Sequence, residues 1–400
     1  MWHLLTFVRG PSAGSRAALL SWVEAVEGRA GINLSRNPAI SCGSIARLPR
    51  IPCLIIRNAM PSVEEIRSAV LAALRNVGVS DGNAETQLSL LLEAELRGVE
   101  SHGLLRLPRV VDRIASGATN PATTGKHVWR GDALLEVDGE QGLGPVVAIA
   151  ALAEVSLRAE KTGVATAAIR NCDHLGMLAW YAEHIASNGQ VLIALTVSEA
   201  LVHPWGGRRA MLGTNPIAIG IPADPHPFVF DMATSLISMG KIHDYANRGQ
   251  PIPGDWALDS DGKPTTNAFA AKSGAIAPFG GAKGYALGLA FELLVTSLTG
   301  SAIGPDVKGT LDAHNPCNKG DIFIVLEPAS GMATVISRFM EDIRNSEPAD
   351  PKSPVRIPGD RALHTRAQRL IQEIQLADDV WKRIQILAEK NQPSAGRGGH

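Results

Sequence analysis

The chain has 400 residues, of which 45% are hydrophobic and 19% are charged, and its formal net charge is −1. With 38 basic against 39 acidic side chains, it lacks the positive excess with which proteins bind nucleic acids or anionic membrane surfaces. Its apolar runs end before the ~18–20 residues that a membrane-spanning helix needs. The four cysteines form no CxxC pair, so neither a zinc site nor a disulfide framework is indicated, and the reducing cytoplasm is the expected compartment.

Residues 1–59 differ in composition from the rest of the chain. They contain seven arginines, no lysine and two acidic residues, Glu24 and Glu27. Such a composition is typical of a mitochondrial transit peptide, but it also fits residues that precede a true start at Met60, and we favour the second interpretation. We expect residues 1–59 to be a non-native or disordered extension, and residues 393–400 to be a disordered tail.

Residues 60–130 have the periodicity of helices. Ser62 and Glu65 form a capping box, which is a sequence signature of a helix start. Apolar residues then recur at three- and four-residue spacing near residues 63–76, 84–97 and 104–114. We therefore expect a region built of three helices.

Residues 131–330 alternate between strand and helix patterns. The predicted strands are 134–137, 164–169, 191–197 and 322–326, the predicted helices are 145–161, 178–187 and 283–299, and strands and loops are expected up to residue 277. Residues 331–392 predict two more helices, 333–345 and 361–391, that pack with the helical region. The sequence therefore indicates an α/β fold whose helical ends wrap a central domain.

One segment imitates a dinucleotide-binding motif. The strand at 134–137 leads to Gly142 and Gly144 at the start of a helix, and the next strand ends at Arg170. Val147 stands where a third small residue is expected, and four residues separate the strand from the first glycine. We prefer the interpretation that these glycines meet a backbone requirement, and we do not place the cofactor here.

A cationic pair is expected after the second helix. Arg106 follows His102 of the Ser101-His102-Gly103 segment by four residues, which places both side chains on one helical face. A guanidinium beside an imidazole can hold a small carboxylate, although a single arginine is more often an ordinary surface residue.

His174 lies in the segment Asp173-His174-Leu175-Gly176, directly after a buried strand. The carboxyl ends of strands are where α/β proteins place functional groups. An imidazole with a pKa of ~6.5 can donate or accept a proton at neutral pH. The position therefore makes His174 a candidate acid–base group, with a purely structural histidine as the alternative.

Further polar segments follow the later strands: Gly213–Pro216, Phe230–Ser235, Gly240-Lys241 and the glycine-rich Gly280–Tyr285. Lys283 enters the long predicted helix, whose first backbone N–H groups favour phosphate, but the spacing is not that of a P-loop. Each segment alone also fits an ordinary turn. Together they indicate an enzyme with a phosphate-bearing ligand and a carboxylate substrate, without naming the reaction.

Taken in order, these segments resemble the type 2 malate/L-lactate dehydrogenase family, which also contains ureidoglycolate and sulfolactate dehydrogenases and piperideine/pyrroline-2-carboxylate reductases. The matching pieces are SHG-x-x-R (101–106), DHLG (173–176), GTNP (213–216), FDMAT (230–234), GK (240–241), W-A-x-D-x-x-G-x-P-T-T (256–266) and GG-x-KGYALG (280–288). The resemblance spans about 330 residues from Met60 onward. It departs from the family at Ala282, at Asn267-Ala268 and in a short loop at 304–314.

The resemblance implies NAD(P)-dependent oxidation of a small 2-hydroxy acid, with malate or lactate as the default substrate, or reduction of the matching 2-oxo or 2-imino acid. It implies a non-Rossmann, mixed-sheet domain for NAD or NADP at residues 131–330, and a homodimer to whose interface and substrate site residues 60–130 contribute. His174 resembles the family's proton acceptor. The expected substrate contacts are Ser101, His102, Arg106 and Thr214, the expected cofactor contacts are Ser198, Asp231, Met232, Ala233, Lys283 and Asn318, and no metal is implied.

Two alternatives stay open beside this hypothesis. Within the family, the chain could be a ureidoglycolate or sulfolactate dehydrogenase, or a reductase of cyclic 2-imino acids, in which the proton goes to nitrogen. Outside enzymes, it could be a catalytically silent homologue that only binds. The presence of His174, Arg106 and Lys283 disfavours a silent homologue, which has no chemical need for all three.

Overall fold

A computed structural model describes residues 60–372 and 374–389. The predictions for residues 1–59 and 393–400 lie outside these described residues. In the part of the chain that is described, no helix is both long enough and apolar enough to span a bilayer.

A mixed sheet forms the centre of the fold, as the α/β prediction requires. Its seven strands run in the order β1-β2-β3-β9-β4-β5-β6, and a separate two-stranded sheet pairs β7 with β8. The strands are β1 (Lys126–Arg130), β2 (Leu134–Gly142), β3 (Val164–Cys172), β4 (Val191–Thr196), β5 (Ile217–Ile221), β6 (Phe228–Met232), β7 (Ala257–Leu258), β8 (Ala275–Ile276) and β9 (Gly320–Leu326). Only β2 and β3 pair in parallel in the large sheet; its other pairs are antiparallel.

Helices cover the sheet and form both ends of the described chain. They are α1 (Val63–Arg75), α2 (Asp81–Leu96), α3 (Leu107–Ala115), α4 (Gly144–Thr162), α5 (Leu178–Ser187), α6 (Met239–Asn247), α7 (Ala268–Ala271), α8 (Ala282–Thr299), α9 (Met332–Arg344), α10 (Asp360–Ile371) and α11 (Asp378–Glu389). The capping box of α1 is present, with Ser62 and Glu65 bonded to each other's backbone N–H.

Two apolar cores organise these elements. The sheet core packs α4 and α5 on the central strands, with Tyr181 and Phe323 among its fully buried side chains. The helical core joins α1, α2 and α3 to the C-terminal segment, where Ile384 and Leu387 of α11 pack with Ile66 of α1. The two ends of the described chain therefore meet in one core.

The structure corrects three local predictions. The edge strand β1 was missed because its alternating side chains are half-exposed or exposed and present little apolar pattern. The helix expected over 361–391 is two helices, since Ile374 and Leu376, which lie between them, insert into the helical core. Within the stretch expected to hold strands and loops, residues 239–247 and 268–271 form α6 and α7.

Candidate active site

The DHLG turn (Asp173–Gly176) follows the carboxyl end of β3, and it is held by close backbone packing. A Cβ at Gly144, the first residue of α4, would lie 2.5 Å from the carbonyl oxygen of His174 and 2.6 Å from that of Asp173. Gly176 has a φ of +73°, and a Cβ there would meet the Leu90 side chain at 2.3 Å. Glycine is therefore required at each of these two positions, and close packing fixes the backbone around His174.

The same contacts account for the dinucleotide-like segment without a nucleotide. Gly144 is a packing glycine beneath the DHLG turn. The Arg170 guanidinium donates through Nε and Nη2 to Asp138 Oδ2, at 3.2 Å each, so an acidic neighbour already binds this side chain.

Asp173 fastens the turn through a buried ion pair with Arg113 of α3. Arg113 Nη2 donates to Asp173 Oδ1 at 2.7 Å, and Thr119 Oγ1 donates to Asp173 Oδ2. Arg113 Nη1 also donates to the carbonyl oxygens of Asp312 and Asn315, at 3.0 Å each. One guanidinium thus connects α3, the DHLG turn and the loop at 309–315.

His102 and His174 lie together, although 72 positions separate them in the chain. Their rings stack with centroids 5.3 Å apart and planes inclined by 27°. Ser101 Oγ lies 2.9 Å from His102 Nδ1, and Arg106 Nε donates to the Ser101 carbonyl oxygen at 2.7 Å. The expected juxtaposition of Ser101, His102 and Arg106 with His174 is therefore present.

The route to that juxtaposition differs from the prediction. His102 and Arg106 do not share a face of one α-helix, because residues 100–102 and 104–106 form two separate 3-10 turns. Gly103 divides them with φ −91° and ψ −148°, and the buried Glu95 carboxylate packs against it. A Cβ at Gly103 would lie 2.4 Å from Glu95 Oε2, so the break in the helix needs glycine.

The protonation of the two imidazoles follows from their surroundings. Burial, then Arg106 and His102, hold the pKa of His174 well below its usual value of 6.5. Burial and Arg106 lower the pKa of His102 to about 4. The Gly176 backbone N–H donates to His174 Nδ1 at 3.0 Å, so the neutral His174 ring carries its proton on Nε2. Both rings are neutral at pH 7 in this state.

A pocket lies over this histidine pair. The side chains that line it come from α2, α3, the 3-10 turns, the DHLG turn and the loop at 309–310: Gln87, Leu90, Leu91, His102, Arg106, Arg109, Val110, Arg113, Leu143, Asp173, His174, Gly176, Gly309 and Thr310. Its walls combine apolar side chains with convergent polar groups, as small-molecule sites commonly do.

A second cluster gathers the predicted residues of the later strands. Ser198 Oγ accepts a hydrogen bond from the Thr214 backbone N–H at 3.1 Å, and Thr234 donates through its N–H and Oγ1 to the Thr214 carbonyl oxygen at 2.8 and 3.0 Å. A Cβ at Gly288 of α8 would lie 2.9 Å from Thr234 Oγ1. Ser198, Thr214, the FDMAT segment and α8 are therefore in contact, so Thr214, a predicted substrate contact, lies beside Ser198, a predicted cofactor contact.

The two clusters adjoin each other. Glu199 Oε1 accepts hydrogen bonds from the backbone N–H groups of Thr310 and Leu311, at 2.8 Å each, and Thr310 lines the pocket. On another side, a Cβ at Gly240 would lie 3.8 Å from Ser101 Cβ, which places the GK segment beside the 3-10 turns.

Two predicted cofactor residues have structural bonds of their own. Asp231 Oδ2 accepts the Ala179 backbone N–H at 2.8 Å and so caps the start of α5, the helix that follows the DHLG turn. Asn318 donates through Nδ2 to the Asp306 carbonyl oxygen at 3.0 Å and accepts the Lys308 N–H at 2.8 Å. The amide of Asn318 therefore braces the loop that precedes the pocket wall.

The start of α8 has the form of a phosphate site. Gly280 and Gly281 have φ values of +57° and +62°, and Gly281 provides no side-chain cap for the helix. The first N–H groups of a helix have no partner within it, and they favour an anion. Lys283 is exposed in the first turn of α8, and Met232 and Ala233 of the FDMAT segment lie half-buried. The backbone N–H groups and Lys283 at the start of α8 are chemically suited to an anionic group such as a phosphate.

Sequence reasoning missed two pocket arginines, Arg109 and Arg113. They follow Arg106 by three and seven residues, which is the spacing of one helical face and could have revealed them. It also missed the buried ion pair of Lys319 with Asp321, where Nζ lies 2.6 Å from Oδ1, because the strand pattern gives no sign of a buried charge.

Comparison with known proteins identifies the family of this chain. The family model described as malate/L-lactate dehydrogenase matches residues 62–385. The chain belongs to the malate/L-lactate dehydrogenase family. This confirms the family that the seven segments predicted, and with it the class of NAD(P)-dependent 2-hydroxy acid dehydrogenases.

Individual members of the family show its range. L-sulfolactate dehydrogenase of Methanocaldococcus jannaschii is 36% identical over 311 residues, covering 76% of this chain and 90% of that protein. Delta(1)-pyrroline-2-carboxylate reductase of Pseudomonas fluorescens is 34% identical over 324 residues, covering 79% and 94%. The crystal structure of a dehydrogenase from Sinorhizobium meliloti is 49% identical, with a TM-score of 0.80 over 82% of this chain and 98% of that chain.

Proposed function

We propose that this protein interconverts a small 2-hydroxy acid and its 2-oxo acid, with His174 as the group that exchanges a proton with the 2-oxygen. The observation that carries the proposal is the stacked pair of neutral imidazoles beside the Arg106 guanidinium in one pocket. Arg106, with His102 and Ser101, holds the substrate carboxylate. Because Nδ1 accepts the Gly176 N–H, the neutral ring offers Nε2–H as a hydrogen-bond donor to a 2-oxo oxygen. Proton transfer to that oxygen proceeds from the imidazolium form, in which a proton on Nδ1 replaces the Gly176 hydrogen bond and leaves a neutral ring behind.

Substrate binding also adjusts the proton affinity of His174. Arg106 is the largest charged contribution that lowers the pKa of His174, after burial itself. A carboxylate bound to Arg106 neutralises that charge, so it raises the pKa of His174 toward the range needed for proton exchange. In the absence of substrate, the imidazolium form is disfavoured.

The cofactor in this proposal is NAD or NADP, bound in a domain that is not of the Rossmann type. A nicotinamide held there would supply the acceptor or donor of a hydride for C2 of the substrate. The start of α8 with Lys283 would hold the phosphates, and Ser198, Asp231, Met232 and Ala233 would line the remainder. Asn318 would support the site through the loop that its side chain braces.

Malate and lactate are the default substrates. The similarity to L-sulfolactate dehydrogenase supports a sulfonated 2-hydroxy acid as one alternative. The similarity to delta(1)-pyrroline-2-carboxylate reductase supports reduction of a cyclic 2-imino acid as another alternative. In that reaction His174 would exchange a proton with the imine nitrogen and not with a 2-oxygen. Ureidoglycolate is a further candidate.

We also propose that the protein acts as a homodimer in the cytoplasm. Residues 60–130 and 331–392 would form a helical domain and residues 131–330 the cofactor domain. The support for a dimer is α8, which leaves Leu287, Leu293 and Leu294 exposed on its outer face. Apolar residues grouped on a surface helix mark a contact with another protein.

The proposal is tested by following the loss of reduced-nicotinamide absorbance. NADH and NADPH are each offered with pyruvate, oxaloacetate, sulfopyruvate, oxalurate and piperideine-2-carboxylate. Turnover of a 2-oxo acid is the expected result and fixes the cofactor preference. Turnover of the cyclic imine alone would replace the proposal by the reductase alternative, and failure of both nicotinamides to bind would contradict it.

A further inference from the structure

Three arginines follow one another on the pocket side of α3 and the turn before it. Arg106, Arg109 and Arg113 are spaced by three and four residues, and all of them line the pocket beside His174. Together they bring three positive charges to one wall.

Within the part of the chain that the structure describes, an acidic side chain neutralises only one of these charges. Asp173 is the single acidic residue among the lining side chains, and its carboxylate pairs with Arg113 at 2.7 Å. Among the described residues, no Asp or Glu forms an ion pair with Arg106 or Arg109. Burial, followed by the positive charge of the neighbouring Arg109, lowers the pKa of Arg106 to about 10, as expected for like charges that share one pocket. The pocket therefore holds an excess of two positive charges.

A single substrate carboxylate neutralises only one of these two excess positive charges. The substrate carboxylate assigned to Arg106 neutralises one guanidinium, while Arg109 stays beside the pocket without an anionic partner. A guanidinium that faces a partly dehydrated pocket gains most from a carboxylate or sulfonate, which it can bind through two parallel hydrogen bonds. A methyl group or a hydrocarbon ring at the same place would form neither a hydrogen bond nor an ion pair with the Arg109 guanidinium.

We propose that Arg109 is a specificity-determining residue that binds a second anionic group on the substrate. The substrate is then a dianionic 2-hydroxy or 2-oxo acid whose far end is a carboxylate or a sulfonate. The inference rests on the proposed function of the same pocket. It selects against lactate, ureidoglycolate and monoanionic cyclic imino acids, in which the far end is uncharged.

The first arm of the test compares kcat/KM for oxaloacetate, sulfopyruvate and pyruvate in the unaltered protein, in Arg109→Gln and in Arg109→Lys. Loss of a charge-assisted contact lowers kcat/KM for the dianion by about 10²- to 10³-fold in Arg109→Gln. The value for pyruvate stays within about threefold, because pyruvate does not make that contact. Arg109→Lys recovers part of this loss in kcat/KM. Comparison of kcat/KM for oxaloacetate and for sulfopyruvate decides whether a carboxylate or a sulfonate is preferred.

The second arm needs no turnover. Calorimetry measures the binding of succinate and butyrate in the presence of NADH or NADPH, since succinate has two carboxylates and butyrate has a methyl group in place of one. Succinate binds at least about tenfold more tightly than butyrate to the unaltered protein, and this ratio approaches one in Arg109→Gln. This arm separates the two claims, because it succeeds even if none of the 2-oxo acids is reduced.

The control is Arg338→Gln, which removes an exposed arginine of α9. It leaves unchanged the ratio of kcat/KM for oxaloacetate to that for pyruvate, and also the ratio of the succinate and butyrate affinities. An equal loss for pyruvate and oxaloacetate in Arg109→Gln would overturn the proposal, because it would show a general role in the pocket. Equal affinity of the unaltered protein for succinate and butyrate would overturn it as well. A raised KM for NADPH alone would assign Arg109 to the cofactor.

Discussion

His174 owes its chemical character to what surrounds it. The Gly176 N–H fixes its tautomer, His102 stacks on its ring, and Arg106 disfavours its charged form. A neutral imidazole at pH 7 whose proton affinity rises when an anion binds is suited to proton exchange with a bound 2-hydroxy or 2-oxo acid.

Replacement of the imidazole tests this role directly. His174→Ala is expected to lower kcat by ~10²- to 10⁴-fold, since general acid–base catalysis contributes about that much. Affinity for the nicotinamide, measured by fluorescence titration, is expected to stay unchanged because the residues proposed to bind the cofactor lie in the second cluster. The control is His226→Ala, an exposed histidine, which keeps full turnover. Full turnover by His174→Ala would remove His174 from the chemistry.

Glu95 is a second residue whose surroundings set its protonation. It is 4% exposed, and burial raises the pKa of its carboxyl to about 7. The unfolded chain therefore loses this proton at lower pH than the folded protein does, and the free energy of unfolding falls as pH rises between the two pKa values.

The variant Glu95→Gln removes that pH dependence. Between pH 5.5 and 8.5 the unaltered protein should lose about 2 kcal/mol relative to Glu95→Gln, because one pKa unit corresponds to about 1.4 kcal/mol. Urea unfolding of both proteins at the two pH values measures the difference, and comparison at equal pH cancels the other titrating groups. A constant difference across this range would show that Glu95 titrates normally.

At the scale of elements, the site depends on how closely α4 approaches the DHLG turn. Gly144 allows the first turn of α4 to contact two carbonyl groups of the DHLG turn. Arg113 of α3 binds Asp173 of the same DHLG turn and also the loop at 309–315. The rigid part of the site is therefore a contact between backbones, which a side chain cannot easily adjust.

Gly144→Ala is the corresponding prediction. Its new methyl group would lie 2.5 Å from the His174 carbonyl oxygen, so the turn must shift. We expect kcat/KM to fall by about 10²-fold, which is typical when a reacting group is misplaced by about 1 Å. Gly82→Ala is the matched control: no atom lies within 4 Å of the added carbon in α2, so activity and melting temperature are kept. Equal activity of both variants would show that the turn tolerates displacement.

At the scale of the whole molecule, the outer face of α8 is an apolar surface that the described part of the chain leaves uncovered. The same helix begins at the proposed phosphate site and carries the buried Glu292, which accepts the Gly304 N–H at 2.8 Å. A dimer contact on α8 would therefore stabilise the cofactor cluster.

Leu293→Glu tests that contact. Leu293 is 51% exposed on α8, and a charge there opposes burial in an apolar interface. Sedimentation velocity is expected to show a dimer for the unaltered protein and a monomer for Leu293→Glu. Leu157→Glu, at a position 62% exposed on α4, should leave the dimer intact. A monomeric unaltered protein would contradict the proposed dimer.

The sequence by itself determined the features that depend on neighbouring residues. The helix cap at Ser62, the strand that ends before His174, the glycine-rich start of α8 and the order of the seven family segments are all local patterns. Such patterns are readable because capping, strand burial and backbone conformation act over a few residues. They were sufficient for the fold class, the family and the candidate proton-exchange residue.

Only the tertiary structure decided which charges in the pocket are left free. Arg113 and Arg109 look alike in the sequence, but Asp173 reaches Arg113 and no described acidic side chain pairs with Arg109. The stacking of His102 on His174 and the placement of Thr214 beside Ser198 are equally invisible in local patterns. The reason is physical: these pairings join segments far apart in the chain, and their geometry is set by the packing of whole elements around the two cores.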